Sequence, residues 1–167
     1  MINAESQIEI AALHRGENRF HLSPDEAARR AIAERLGEPG VESLSADFTL
    51  RPFSGGVDLD LRIDARVNRV CVASLEPLTE TVREHYAIRF ERDFVEPGPE
   101  ADDSDAASRE PLEGDTLDLA EILIQHLAIS LDPYPRKEGA KSLAETYRDP
   151  VNPSPFSGLK GLVDGDA

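Results

Sequence analysis

The sequence predicts a single α+β domain in which two helices cover one face of an antiparallel sheet. Two of the observations behind this prediction are patterns: apolar and polar residues alternate strictly over 57–68, and helical apolar stripes run along 24–36 and 117–131. The third is the length of 167 residues, which is close to that of one domain. We therefore place the domain at residues 1–137 and a loose C-terminal tail at residues 138–167.

The first elements of the chain are an extended segment and a helix. Residues 5–22 contain two short alternating runs on either side of a turn. A helix start follows, because Ser23 can cap free backbone N–H groups and Pro24 lacks the donor that a first helical turn leaves unpaired. Glu26 stands three residues after Ser23 and completes a capping box. These signals predict a helix over 24–36.

Three further strands follow the first helix. Residues 44–53 and 57–70 alternate on either side of Ser54-Gly55-Gly56, which is typical of a hairpin. The alternation slips by one residue just before Cys71, which predicts a bulge or bend that curls the sheet toward a barrel. Residues 82–90 predict the next strand.

The charge of the chain is strongly acidic. Asp and Glu number 33 against 18 Lys and Arg, which gives a formal net charge of −15. A flexible acidic loop is predicted over about 95–115, before the helix at 117–131. Its candidate contact residues are Glu96, Glu100, Asp102, Asp103 and Asp105. This charge disfavours non-specific binding to nucleic acid and favours a basic protein partner.

Several classes of protein are disfavoured by what the sequence lacks. The single cysteine excludes an intramolecular disulfide and a set of thiolate metal ligands within the chain. Neither a membrane-spanning apolar run nor a secretory leader is recognisable, so we expect a cytoplasmic protein without a membrane partner. The four histidines are dispersed, and His126 is interpreted as a hydrogen-bonded core residue. We predict no catalytic residues, no metal ligands and no cofactor.

Two proline-containing segments are candidates for a partner-binding surface, because proline presents neighbouring side chains at little entropic cost. The first candidate set comprises Cys71, Ser74, Leu75, Glu76 and Pro77. The second comprises Asp132, Pro133, Tyr134, Pro135, Arg136 and Lys137. A rigid turn that merely ends the helix explains the second segment equally well. Cys71 is flanked by valines, which favours a small buried apolar side chain over a nucleophile.

The same two segments carry a resemblance to a known family. Cys71–Pro77 after a strand hairpin, followed by an acidic loop, a Leu-rich helix and Asp132–Lys137, resembles the YceD family of large ribosomal RNA subunit accumulation proteins. The resemblance covers roughly residues 5–140 and the Asn-Pro-Ser-Pro-Phe stretch at 152–156. Many members of the family have a second cysteine where this chain has Ser74, so a metal or redox role for a cysteine pair does not transfer.

The resemblance implies a role in accumulation or processing of large-subunit rRNA. We expect a non-enzymatic ribosome-biogenesis factor that binds a ribosomal protein or a precursor of the large subunit. Two alternatives stay open: a metal-dependent nuclease or hydrolase that uses clustered carboxylates, and a general acidic protein-binding module. The sequence leaves the oligomeric state and any direct contact with rRNA undetermined.

Overall fold

A five-stranded open sheet organises the chain, which a computed structural model describes over residues 6–95 and 108–141. In chain order the elements are β1 (Gln7–Glu9), a 3-10 turn (Ile10–Ala12), β2 (Asn18–Leu22), α1 (Glu26–Leu36), β3 (Gly40–Phe53), β4 (Gly56–Val70), β5 (Pro77–Glu91), β6 (Ser108–Pro111), β7 (Thr116–Asp118) and α2 (Leu119–Ser130). The strand order is β2-β3-β4-β5-β6, and β1 pairs separately with β7. The α+β prediction is confirmed.

The predicted closure of the sheet toward a barrel is wrong. Strands β2 and β6 lie at opposite ends of the strand order and are not paired with each other. The sheet is also mixed rather than purely antiparallel, because β6 runs parallel to β5. The long central hairpins, β3-β4 and β4-β5, are antiparallel as the alternation predicted.

The core lies between the inner face of the sheet and the two helices. Strand β4 contributes the alternating apolar residues that the sequence pattern identified, namely Val57, Leu59, Leu61, Ile63, Ala65 and Val67. Helix α1 contributes Ile32 and Ala33, and α2 contributes Leu119, Leu123 and Leu127, among others. Burying each large aliphatic side chain stabilises the fold by about 1.5–3 kcal/mol. The apolar stripes therefore hold both helices against the same sheet face.

The predicted bulge before Cys71 is also wrong. Strands β4 and β5 keep one register up to the last pair, Val70 with Pro77. The alternation continues in phase because Arg69 and Cys71 take the inward positions, and both are buried. The slip in the apolar pattern arose from a charged residue in an inward position. Among the described strands, a register shift lies in β3, between residues 41 and 43.

Helix α1 begins two residues later than predicted. The Asp25 carboxylate accepts the backbone N–H of Ala28 at 2.8 Å, so Asp25 is the N-cap. Ser23 and Pro24 precede this cap, and the expected capping box does not form. The predicted end is confirmed, since Gly37 adopts the left-handed conformation with φ +72° that commonly closes a helix.

Helix α2 also begins later than the apolar stripe at 117–131 suggested. The preceding residues form β7, and the Asp118 carboxylate caps the helix by accepting the N–H groups of Ala120 at 3.0 Å and Glu121 at 3.1 Å. Leu119 is therefore the first helical residue. Apolar alternation and an apolar helical stripe overlap at this junction, which explains the error.

The range predicted as an acidic loop, about 95–115, contains a strand among its described residues. Strand β6 occupies part of the range 95–115 and pairs with β5 at the sheet edge. The five candidate acidic residues of this loop lie outside the described residues, as does the tail from residue 142 onward.

The β3-β4 hairpin turns through Ser54 and Gly55, as the sequence predicted. Gly56 starts β4 where the chain passes very close to β5. A Cβ atom at Gly56 would lie 1.8 Å from the carbonyl oxygen of Phe90. Only glycine fits at this position without a shift of the backbone.

Candidate partner-binding surface

The two segments selected from the sequence lie side by side, although about 60 residues separate them in the chain. The N–H of Val72 donates to the carbonyl of Pro135 at 2.9 Å. The ammonium of Lys137 contacts the carboxylate of Glu76 at 3.0 Å. We call the area formed by residues 71–77 and 132–137 the two-loop surface.

Cys71 anchors the first loop through its backbone and its sulfur. Its N–H donates to the carbonyl of Glu76, and its carbonyl accepts from Leu75, both at 2.9 Å. The sulfur accepts the backbone N–H groups of Lys137 and Ser74, each at 3.4 Å. The thiol is fully buried, as the interpretation as a buried apolar residue predicted, but it also joins the two loops.

The N–H donors around the sulfur favour its ionised form. The backbone N–H of Lys137 lowers the pKa of Cys71 most, and groups of Ser74 and the N–H of Ala73 act in the same direction. Burial opposes them, and the resulting pKa is about 6. The sulfur is therefore a structural hydrogen-bond acceptor that is shielded from solvent.

Arg69 fixes the start of the second loop. Its Nη2 donates to the carbonyl of Asp132 at 2.9 Å, and its Nη1 donates to one carboxylate oxygen of Glu80. The other oxygen of Glu80 accepts the N–H of Asp132 at 2.9 Å. The backbone N–H and carbonyl of Asp132 are thus both held by one partly buried ion pair, which restricts the loop that follows.

The Arg69 guanidinium also reaches the turn between α1 and β3. A carboxylate oxygen of Glu38 lies 2.8 Å from Nε, although the N–H is not directed at it. Arg69 is only 6% exposed. It therefore connects β5, the end of α2 and the α1-β3 turn beneath the two-loop surface.

Apolar side chains are exposed on this rigid frame. Leu75 is 63% exposed and has a φ of +59°, a backbone conformation that costs a bulky residue free energy. Tyr134 is 72% exposed, and its N–H donates to the side chain of Asp132 at 2.8 Å. Val70 and Val72 are 43% and 46% exposed. Exposed apolar groups on strained or pre-organised backbone are typical of binding sites.

The remaining candidates have supporting positions. Pro77 opens β5 and pairs with Val70. The Ser74 hydroxyl lies 3.5 Å from the Glu76 carboxylate. Pro135 is buried between the loops, whereas Arg136 and Pro133 are exposed.

Arg69 and Glu80 were missed from the sequence. Arg69 occupies an inward position of a strict alternation, and Glu80 occupies an inward position of β5. Two opposite charges at inward positions of neighbouring strands are the signal that could have identified the pair.

His126 has the role predicted for it. It is buried, and its Nδ1–H donates to the carbonyl of Ile122 at 2.9 Å. Its ring packs edge-on against that of Tyr86, with the two ring centroids 4.7 Å apart. Across residues 6–95 and 108–141, no group of three His, Cys, Asp or Glu side chains is arranged to hold a metal ion. Within the same ranges, neither helix has the length and apolarity needed to cross a bilayer.

A family model described as "Large ribosomal RNA subunit accumulation protein YceD" matches residues 59–162. The match includes both loops of the two-loop surface, and it begins inside β4. No curated protein and no solved structure matches the chain.

Proposed function

Because this chain belongs to the YceD family of large ribosomal RNA subunit accumulation proteins, we propose that it is a cytoplasmic, non-enzymatic factor in assembly of the large subunit. It acts by binding a ribosomal protein, either free or on a precursor particle. The observation that carries this proposal is the two-loop surface, which lies within the matched residues and exposes apolar side chains on a rigid frame.

The construction of the surface favours binding over catalysis. Its polar groups are used to hold the loops together: the Cys71 sulfur accepts two N–H groups, and Arg69 and Glu80 bind the same peptide position. Among the groups left for a partner, Leu75 and Tyr134 are the most exposed apolar side chains. Exposed leucine and tyrosine provide contact area, and tyrosine is enriched among residues that dominate binding energy.

The charge of the chain favours a basic partner. A net charge of −15 attracts a Lys- and Arg-rich protein and repels phosphate backbones. Ribosomal proteins that have not yet bound rRNA expose such basic surface, and binding by an acidic chain would shield it before assembly.

The test is the ratio of large-subunit to small-subunit rRNA in cells that lack the protein, together with subunit profiles on gradients. We expect a selective fall in the large species that the intact gene restores. Tyr134→Ala and Leu75→Ser together should fail to restore it. Ile129→Ser is the matched control, because Ile129 is as exposed as Tyr134, at 72% each, and lies on α2 outside the two-loop surface. A normal rRNA ratio without the protein would overturn the proposal.

The five acidic candidates, Glu96, Glu100, Asp102, Asp103 and Asp105, are expected to strengthen the first encounter with the partner. Replacing them with the corresponding amides should lower partner affinity and flatten its dependence on salt, because screened long-range attraction is lost. Substitution is preferable to deletion of 96–110, since that deletion would remove most of β6. A control that neutralises five exposed acids elsewhere tests net charge alone. If the two variants lose the same partner affinity and salt dependence, this segment has no role beyond its contribution to net charge.

A further inference from the structure

A continuous trough leads away from the two-loop surface along helix α1. It consists of two adjoining pockets of about 510 and 440 Å³, which share Glu38 and Pro39. The first pocket lies between the second loop, at Pro133, and the end of β4. The second follows α1 back to Glu26. We call the whole feature, from Pro133 to Glu26, the trough.

The end of the trough at the two-loop surface carries a stiff apolar patch beside Glu38 and Arg69. It is lined by the half-exposed side chains of Val70 and Val72 and by the rings of Pro39 and Pro133. Proline rings and β-branched side chains have few conformations to lose, so an apolar side chain entering between them meets a surface that is already ordered.

The end of the trough along α1 is acidic. Carboxylates of Glu26, Glu34 and Glu38 line it, and the guanidinium of Arg30 pairs with Glu26. Within the described ranges, Glu34 makes no side-chain ion pair or hydrogen bond. Arg69 is shared between Glu38 and Glu80. Four carboxylates therefore face two guanidiniums in and beneath the trough, which leaves a local charge of −2.

We propose that the trough binds an extended, Lys- and Arg-rich segment of a ribosomal protein. An apolar residue of that segment lies against Val70 and Val72, and its basic side chains face Glu34 and Glu38. Glu26 to Gly37 spans about 16 Å of helix, a length that about five extended residues cover. The local charge and the net charge of −15 both disfavour a nucleic-acid strand in the same place. This inference rests on the proposed function and identifies the chemistry of the partner.

The test uses the full chain and, as the probe, total protein extracted from isolated large ribosomal subunits. Glu34→Lys should weaken capture of the specific partner about fivefold, equivalent to about 1 kcal/mol. Glu113→Lys is the matched control, because Glu113 is an exposed acid outside the trough and changes the net charge equally. Val72→Ser should weaken capture similarly, whereas Val95→Ser, at another exposed valine, should not. Circular dichroism of each variant checks that the fold is retained.

A photo-crosslinking amino acid at position 72 identifies what occupies the trough. We expect crosslinks to a segment of one ribosomal protein with an excess of lysine and arginine, and none from position 49 on the outer sheet face. With precursor particles as the probe, crosslinks from position 72 to rRNA would overturn the proposal. Crosslinks to a segment without basic excess, or equal capture by the Glu34→Lys and Glu113→Lys variants, would also overturn it.

The experiments distinguish an error in the trough proposal from an error in the proposed function. If loss of the protein leaves the rRNA ratio normal, the proposed function is wrong. If the ratio falls but a Glu34→Lys gene restores it fully and its product binds the partner normally, only the trough proposal is wrong.

Discussion

Arg69 explains why the predicted bulge before Cys71 is absent, and it also holds three segments of the chain together. Its charged side chain interrupts the apolar pattern of β4, yet it stays in phase and lies beneath the two-loop surface. Three segments meet at its guanidinium through Glu38, Glu80 and Asp132. A partly buried ion pair of this kind adds little net stability over an apolar pair, but its geometry fixes which backbone lies where.

Replacing Arg69 with methionine should cost about 3–5 kcal/mol in free energy of unfolding, because two poorly exposed carboxylates lose their partner. Urea denaturation measures this. Arg83→Met is the control, since Arg83 pairs with Asp64 at 77% and 59% side-chain exposure and should change stability by less than about 1 kcal/mol. Similar losses in both variants would mean that Arg69 has no special structural role.

Cys71 leads to a prediction about how the free energy of unfolding depends on pH. Its folded-state pKa of about 6 lies below the value of about 8.5 expected for an unfolded thiol. From pH 6 to about 8.5 the unfolded state therefore binds more protons, and this group stabilises the fold increasingly as pH rises. The contribution is complete above about pH 8.5 and is lost as pH falls through 6.

Comparing the wild-type chain with Cys71→Ser isolates this effect, because serine keeps an acceptor atom but does not ionise. The difference in free energy of unfolding between the two proteins should grow from pH 6 to 8.5 and stay constant below pH 6. Urea titrations at several pH values measure it. Parallel curves over the whole range would show that the sulfur does not titrate in this interval.

At the scale of elements, both helices begin at an aspartate that follows extended chain. Asp25 and Asp118 each accept N–H groups of the first helical turn. The sequence contained these aspartates, but Ser23 offered an equally good local signal. Which candidate becomes the cap depends on how the chain leaves β2, which tertiary packing sets.

Asp25→Ala should lower the free energy of unfolding by about 1 kcal/mol, because the N–H of Ala28 loses its acceptor. Ser23→Ala removes the residue that the local pattern favoured and should change stability by less than about 0.5 kcal/mol. Thermal or urea denaturation compares the two. A larger loss from Ser23→Ala would place the cap at Ser23 instead.

At the scale of the whole molecule, the sheet extends across the N-terminal boundary of the family match. The match starts at Leu59, whereas the sheet pairs residues 56–68 of β4 with β3 on the unmatched side. Helix α1, which covers part of the inner face and forms one wall of the trough, also lies before residue 59.

A fragment of residues 59–162 should therefore not fold by itself. It would expose the long edge of β4 and the inner apolar side chains that α1 covers, and such an edge favours aggregation. Circular dichroism and size-exclusion chromatography compare the fragment with the full chain. A monomeric fragment with sharp, cooperative unfolding would show that β1 to β3 are dispensable for folding.

The sequence by itself determined the features that depend on local periodicity and composition. The α+β class, the alternation of β4, the hairpin at Ser54-Gly55, the end of α1 at Gly37 and the acidic character of the chain were all readable, because each is set by nearest neighbours. The two loops could also be selected individually from their prolines. Their roles in binding remain predictions.

Tertiary structure decided what depends on distant neighbours. It placed the two loops in contact, turned Arg69 inward without breaking register, left the sheet open, and added a parallel edge strand within the predicted acidic loop. An inward charge is stable only when carboxylates such as Glu80 arrive from other strands. No local pattern contains that information, because the partners are brought together only when the sheet forms.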